Sequence, residues 1–382
     1  MRAAVISIAM LLTAVPSLVE AVELSTGCTA KSVAEFNPPA ESGTLLLQAV
    51  ANPLAEGRAA APAVRVLQPP LDQAMLSPNG EYIAGTRRHD NRANPTGSYT
   101  TVVINREFEL VYEGASAFAE FYQFGHWLGN EQLMTIMVQR TVDDYDIFSY
   151  FLIDPFTQTY EHVLPDAASA FYYADGESFV ERSAYAFTFD GRFFFTLGGQ
   201  LFYDFEQQQP LYPEHFLYGI RSTTSQRLLS PEYTSFDLET LVDDVQSIFI
   251  YDFEADTLTP LTELRNVDRA IAVIDNSWSP DEAWWAYALV DGDAALFQPV
   301  FLRQLEAGNS IATCLGLPST EFSTLDFAWS RDSRYLAVQG VLEGEAASDS
   351  LGVYVYDTQT GDIYGVADGS PDIIGWLAAP AS

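Results

Sequence analysis

Five stretches of the chain are versions of one phrase: Leu76 to Thr86 (LSPNGEYIAGT), Phe187 to Leu197 (FTFDGRFFFTL), Trp278 to Ala288 (WSPDEAWWAYA), Trp329 to Gln339 (WSRDSRYLAVQ) and, more loosely, Trp127 to Thr135 (WLGNEQLMT). Self-similarity at a spacing of about 40 to 60 residues marks a repeat architecture. Each copy sets an apolar residue or Trp before a polar turn of Ser, Pro, Asp, Asn and Gly, then a run such as Tyr335, Leu336, Ala337 and Val338. The turn residues tolerate a tight reversal and the flanks favour strands, so each copy predicts a β-hairpin.

A second hairpin follows most copies. Val353 to Val366 (VYVYDTQTGDIYGV) is the cleanest, and Thr101 to Tyr112, Phe151 to Leu164, Ile248 to Leu261 and, more weakly, Phe216 to Leu229 are related to it. Two hairpins make one four-stranded sheet per repeat. Radial repetition of such sheets is the β-propeller, in which ring closure protects the strand edges. The phrase itself, best seen in Trp278-Ser279-Pro280-Asp281 and Leu76-Ser77-Pro78-Asn79-Gly80, resembles the repeats of TolB-like and WD-repeat-like propellers of bacterial secreted or periplasmic proteins. The resemblance implies an all-β chain folded as a single β-propeller of four-stranded blades over residues 71–382. Six units are counted, with seven as the alternative.

The stretch between Phe187 and Trp278 has room for two units, the second expected either to begin near Ser230-Pro231 or to have inner strands that have drifted beyond recognition. Gln200 to His215 is read there as an insertion or an outer strand. At the far end, Asp372 to Leu377 (DIIGWL) reads as the opening strand of a unit that stops. It is expected to close the ring by pairing with Gly43 to Val50 or Ala63 to Gln68.

Residues 1–21 carry Arg2, an apolar stretch and a small residue at Ala21, the pattern of a secretory signal cleaved after Ala21. Residues 22–70, with Pro38-Pro39, Pro53, Pro62 and Pro69-Pro70, are expected to form an extended arm that contributes a closing strand. The expected location is therefore secreted or periplasmic. The two cysteines, Cys28 and Cys314, are a candidate disulfide in an oxidising compartment. Two alternatives stand beside it: lipidation of Cys28, whose Leu24 lies one residue too far away, and a pair of free thiols.

Fifty-two acids against 18 bases give a net charge of −34, and Lys31 is the only lysine. Such a surface repels nucleic acid and anionic membranes, so neither is an expected partner, and no membrane insertion is expected after signal removal. Arg87, Arg88, Arg92 and Arg106 fall together in the first unit as a local anion-binding spot or a solvated loop.

Local catalytic signatures are missing. There is no Gly-x-Ser-x-Gly elbow, no His-Glu-x-x-His, no Cys-x-x-Cys and no Gly-rich phosphate loop with Lys. Asp143, Asp144 and Asp146, Asp243 and Asp244, and Asp291 and Asp293 lack the spacing of a calcium loop. Of His89, His126, His162 and His215, only His126 stands at an inner turn, and the tryptophans recur where they would fill the wedge between blades. No catalytic, cofactor-binding or metal-binding residue is assigned, and no cofactor is expected. The expected function is a monomeric, non-catalytic binding or scaffold module that holds a protein, peptide or glycan partner by its rim loops. The alternative is a hydrolase or lyase centred on the propeller channel and dependent on a divalent metal.

Overall fold

The computed structural model describes residues 28–48, 63–91, 94–114, 121–140, 146–162, 185–187, 192–196, 202–204, 206–207, 209–211, 220–233, 245–265, 270–272, 277–290, 298–317, 327–344 and 351–379. The expected signal segment lies outside them. Among the described residues the chain is all-β: 28 strands, two single 3-10 turns and no α-helix. Among the described residues no helix is long and apolar enough to cross a membrane.

Three short strands come first, β1 (Ala30–Ser32), β2 (Thr44–Gln48) and β3 (Val64–Val66). Six antiparallel units of four strands follow in chain order. Unit 1 is β4 (Asp72–Leu76), β5 (Tyr82–Asn91), β6 (Asn94–Asn105) and β7 (Leu110–Glu113). Unit 2 is β8 (Phe121–Leu128), β9 (Gln132–Arg140), β10 (Asp146–Asp154) and β11 (Thr159–His162). Unit 3 is β12 (Tyr185–Phe187), β13 (Phe193–Thr196), β14 (Phe202–Asp204) and β15 (Gln209–Leu211). Unit 4 is β16 (Ile220–Arg221), β17 (Arg227–Tyr233), β18 (Val245–Asp252) and β19 (Thr257–Arg265). Unit 5 is β20 (Ala270–Ala272), β21 (Trp284–Val290), β22 (Gln298–Gln304) and β23 (Ser310–Leu317). Unit 6 is β24 (Phe327–Trp329), β25 (Tyr335–Leu342), β26 (Gly352–Asp357) and β27 (Ile363–Asp368).

Units 5 and 6 touch through β23 and β25, where Leu315 faces Leu342 and Gly316 faces Val341. With β1 added in parallel to β27, they form one nine-stranded sheet. The last strand, β28 (Asp372–Leu377), returns to the start of the chain. It pairs antiparallel with β2, which pairs in parallel with β3, so both ends of the chain build a seventh, three-stranded group.

Two sequence readings change. The turn at 222–227 is the inner turn of unit 4, with Ser222 N–H donating to Arg227 O at 2.9 Å, as Ser77 N–H donates to Tyr82 O at 2.8 Å in unit 1. Phe216 to Leu229 is therefore not an outer hairpin, and Ser230-Pro231 lies inside β17 rather than opening a unit. The cause is turn chemistry without Pro or Gly: Thr224 and Ser225 N–H groups close this turn on Ser222 Oγ. Gln200 to His215 contains the outer hairpin of unit 3, β14 and β15.

The inner turns explain the repeated phrase. Backbone N–H groups of Tyr82, Trp284 and Tyr335 donate to the hydroxyls of Ser77, Ser279 and Ser330 at 2.8–2.9 Å, and those hydroxyls donate to Asn79, Asp281 and Asp332 two residues on. The fourth residue of each turn is left-handed: Gly80 at φ 70°, Glu282 at 59° and Ser333 at 58°. Only glycine adopts that conformation without strain. The two exceptions are offset by bonds to a neighbouring unit. Glu282 accepts from Ser222, Ser225 and Arg227 of unit 4, and Ser333 Oγ accepts from Asp281 N–H of unit 5. Gly80 has its own reason, because Ala378 N–H donates to its carbonyl and an added Cβ would lie 2.7 Å from Trp376 O.

Tryptophans join the units a second time. Trp127 Nε1 donates to Met75 O (3.5 Å), Trp329 Nε1 to Ser277 O (2.9 Å) and Trp376 Nε1 to Ala328 O (3.0 Å), each bond reaching the preceding unit in space. Trp278 holds the same place in unit 5, yet its indole N–H is buried without a partner. Trp284 and Trp285 face opposite ways, Trp284 packing with units 5 and 6 and the fully buried Trp285 with units 4 and 5. The Trp329→Phe variant loses a buried hydrogen bond that Trp278→Phe does not. Denaturant unfolding is therefore expected to show Trp329→Phe the less stable by about 1 kcal/mol.

Candidate functional site at the start of the inner strands

Among the first strands of the units, called inner strands, β4 lies beside β8 and β8 beside β12, and β28 lies beside both β24 and β4. The C-terminal ends of these strands lie on the side of the serine turns, into which β4 and β24 run directly. Their N-terminal ends form the opposite edge, where β4 opens with Asp72 and β28 opens with Asp372.

A buried glutamine fixes this edge. Gln48, opposite Asp372 in the β2–β28 register, donates through Nε2 to Leu71 O (2.7 Å) and accepts from Leu71 N–H through Oε1 (2.9 Å). Gln339 of unit 6 donates to Pro371 O at 3.4 Å. The backbones that lead into Asp72 and Asp372 are thus each held by a side-chain amide. Asp372 itself is half-buried, with no side-chain hydrogen bond or ion pair among the described residues, and burial pushes its pKa up from the ordinary carboxylate value. Asp72 is exposed on the adjacent inner strand.

The other buried acids are structural. Asp357, Asp204 and Asp252 end the third strands of units 6, 3 and 4, and each carboxylate accepts from backbone N–H groups of the turn that follows. Each also meets an arginine at the start of the second strand. Arg334 grips Asp357 at 2.7 Å, Arg192 meets Asp204 at 3.1 Å and Arg227 meets Asp252 at 3.1 Å. Burial pushes each carboxyl up, but the arginine and backbone donors outweigh it and hold all three below the usual range. Asp372 has neither kind of donor.

The residues singled out in the sequence are scattered. His89, His126 and His162 fall on β5, β8 and β11, and His215 lies outside the described residues. Asp146 opens β10, whereas Asp143, Asp144, Asp243, Asp244, Asp291 and Asp293 lie outside. Arg87 pairs with Glu113, and Arg106 pairs with Glu107 and donates to Ala379 O, so these two arginines gather no anion site. Arg92 lies outside. Cys28 and Cys314 are joined by a disulfide. Asp372 was missed because DIIGWL was read only as a closing strand. Its charge at the head of an apolar strand was the available signal.

No protein family's sequence profile matches the chain, and no curated protein does. Solved structures similar to it include an oligogalacturonate lyase from Vibrio parahaemolyticus, at 12% identity, covering 76% of this chain and 86% of that one, with a TM-score of 0.34. A prolyl endopeptidase is similar at 11% identity, over 80% of this chain and 42% of that one, with a TM-score of 0.46. An acylaminoacyl peptidase from Pyrococcus horikoshii is similar at 11% identity, over 77% and 38%, with a TM-score of 0.32. These are enzymes by name, and that finding corrects the expectation of a non-catalytic binding or scaffold module. Missing contiguous motifs are weak support for that expectation, because they say nothing of residues brought together from strands far apart in sequence.

The Arg334–Asp357 pair has a definite pH signature. A carboxyl held below its unfolded pKa stabilises the fold above that value, and the stabilisation is lost as pH falls through the lower folded value. Asp357→Asn is expected to lose about 2 kcal/mol at neutral pH. In urea titrations across pH, its difference from the parent is expected to shrink below about pH 4.

Proposed function

We propose that the six four-stranded units and the closing group form a single β-propeller, and that it is an enzyme, a hydrolase or lyase working on a carbohydrate or lactone. Acid–base chemistry falls to Asp372 at the mouth of the channel. The adjacency of the inner strands supports the ring, as do the tryptophan and turn bonds that link one unit to the next. On this reading six blades are four-stranded, and the seventh is the three-stranded group shared by both ends of the chain.

The observation that carries the enzymatic reading is the partnerless, half-buried carboxyl of Asp372. A carboxyl whose pKa is raised by burial holds a proton closer to neutral pH, where it can protonate a leaving oxygen or take a proton from a carbon beside a carbonyl. Asp72, exposed and on the neighbouring strand, offers a second carboxylate of different environment at the same edge. A pair of carboxyl groups, one half-buried and one exposed, is a set with which acid–base cleavage of a glycosidic or ester bond can proceed.

Position and energetics point the same way. A raised pKa means that Asp372 contributes stability below its unfolded value and loses that contribution as pH rises through the folded value. At neutral pH the residue weakens the fold, a property retained where function needs it. Asp372→Asn is expected to melt at a higher temperature than the parent at pH 7 and at the same temperature near pH 3, and to lose turnover. The assay presents oligouronides, neutral glycosides and lactones to the full chain, with melting curves taken alongside. Absence of turnover in the parent on every class, or full turnover in Asp372→Asn, removes the reading.

A further inference from the structure

Cys28, Cys314 and Glu343 bring their ligand atoms within 4.8 Å of one another, and among the described residues they form the only such group of metal-ligating side chains. The group lies where units 5 and 6 meet, on β23 and just beyond β25, whereas Asp372 opens β28. Its three members are half-buried.

Each member is placed by backbone that does not depend on the disulfide. Cys314 precedes Leu315, which faces Leu342, and Glu343 N–H donates to Cys314 O at 2.9 Å, so Cys314 and Glu343 are fixed side by side. Cys28 precedes β1, which is held by its parallel register with β27 and by the 2.6 Å ion pair of Lys31 with Asp362. Glu343 Oε2 then lies 3.3 Å from Cys28 Sγ. Neither sulfur of a disulfide carries a proton, so the oxidised pair gives this carboxylate nothing to accept. Among the described residues Glu343 has no other side-chain hydrogen bond or ion pair to account for its position.

We propose that the reduced form of this group is a binding site for a zinc-like divalent ion, gated by the disulfide. A dithiol reductant breaks the S–S bond, supplies two electrons and two protons to give two thiols, and is itself oxidised to a disulfide. The metal ion displaces both thiol protons to solvent and gains two thiolate ligands and one carboxylate oxygen, with water in the fourth position. Two thiolates and one carboxylate suit zinc or cadmium and are poor ligands for calcium or magnesium. Oxidation closes the site by consuming both sulfur ligands.

The test reduces the full chain with a water-soluble phosphine, which is converted to the phosphine oxide with oxygen from water and leaves no competing thiol. The reduced chain is then titrated with cadmium and zinc. The expected result is one ion per chain, a thiolate-to-cadmium charge-transfer band, and no uptake by the oxidised chain. Glu343→Gln is expected to bind about 10-fold more weakly or worse, and the Cys28→Ser, Cys314→Ser double variant not at all. Absence of uptake by the reduced parent overturns the proposal, as does undiminished uptake in either variant. Should reduction abolish the sheet signal in circular dichroism, its recovery on adding zinc supports the site, and failure to recover overturns it.

Discussion

The pairing of β28 with β2 is the constraint on which the rest depends. Each four-stranded unit is built from strands close together in sequence, and such units cannot bury both faces alone. The closing group packs between units 6 and 1: Leu45, Leu47, Ile373 and Trp376 face the former, while Leu46 and Leu377 face the latter. Residues of one short strand thus serve two cores, which alternation along a strand makes possible. The Cys28–Cys314 bond adds a covalent tie between the same N-terminal arm and unit 5, spanning 286 residues. A loop of that length restricts the unfolded chain by several kcal/mol in the chain-entropy account.

Local strain and contacts between units are exchanged at the inner turns. Where the neighbouring strand approaches too closely for a Cβ, as Trp376 and Ala378 approach Gly80, glycine serves. Where Glu282 or Ser333 stands instead, the conformational penalty of about 1–2 kcal/mol is offset by hydrogen bonds to another unit. The acidic character of the chain has a similar local logic in part, since Asp204, Asp252 and Asp357 each close a turn and pair with an arginine.

The fold was legible where turn chemistry was explicit. Ser-Pro-Asn-Gly and Ser-Pro-Asp announced their hairpins because their Ser and Asn or Asp side chains make specific bonds. Ser222 to Ser225 makes equivalent bonds with hydroxyls alone, so the inner turn of unit 4 was taken for an outer one. The closing strand was legible because DIIGWL is apolar and strand-like. The candidate site was not, since the desolvation of Asp372 arises from where β28 sits and not from its neighbours in sequence. The Glu343 contact was equally hidden, because it depends on the bridge between β23 and β25.

The order of strands also bears on how the molecule is made. A ribosome delivers β2 and β3 before the six units and β28 after them, while each four-stranded unit can assemble as it emerges. Until β28 has been made, the edge of β2 that awaits it stays open, presenting unpaired N–H and C=O groups to any passing strand. The growing chain therefore carries its hazard of mispairing ahead of the units, and that hazard ends only when β28 arrives.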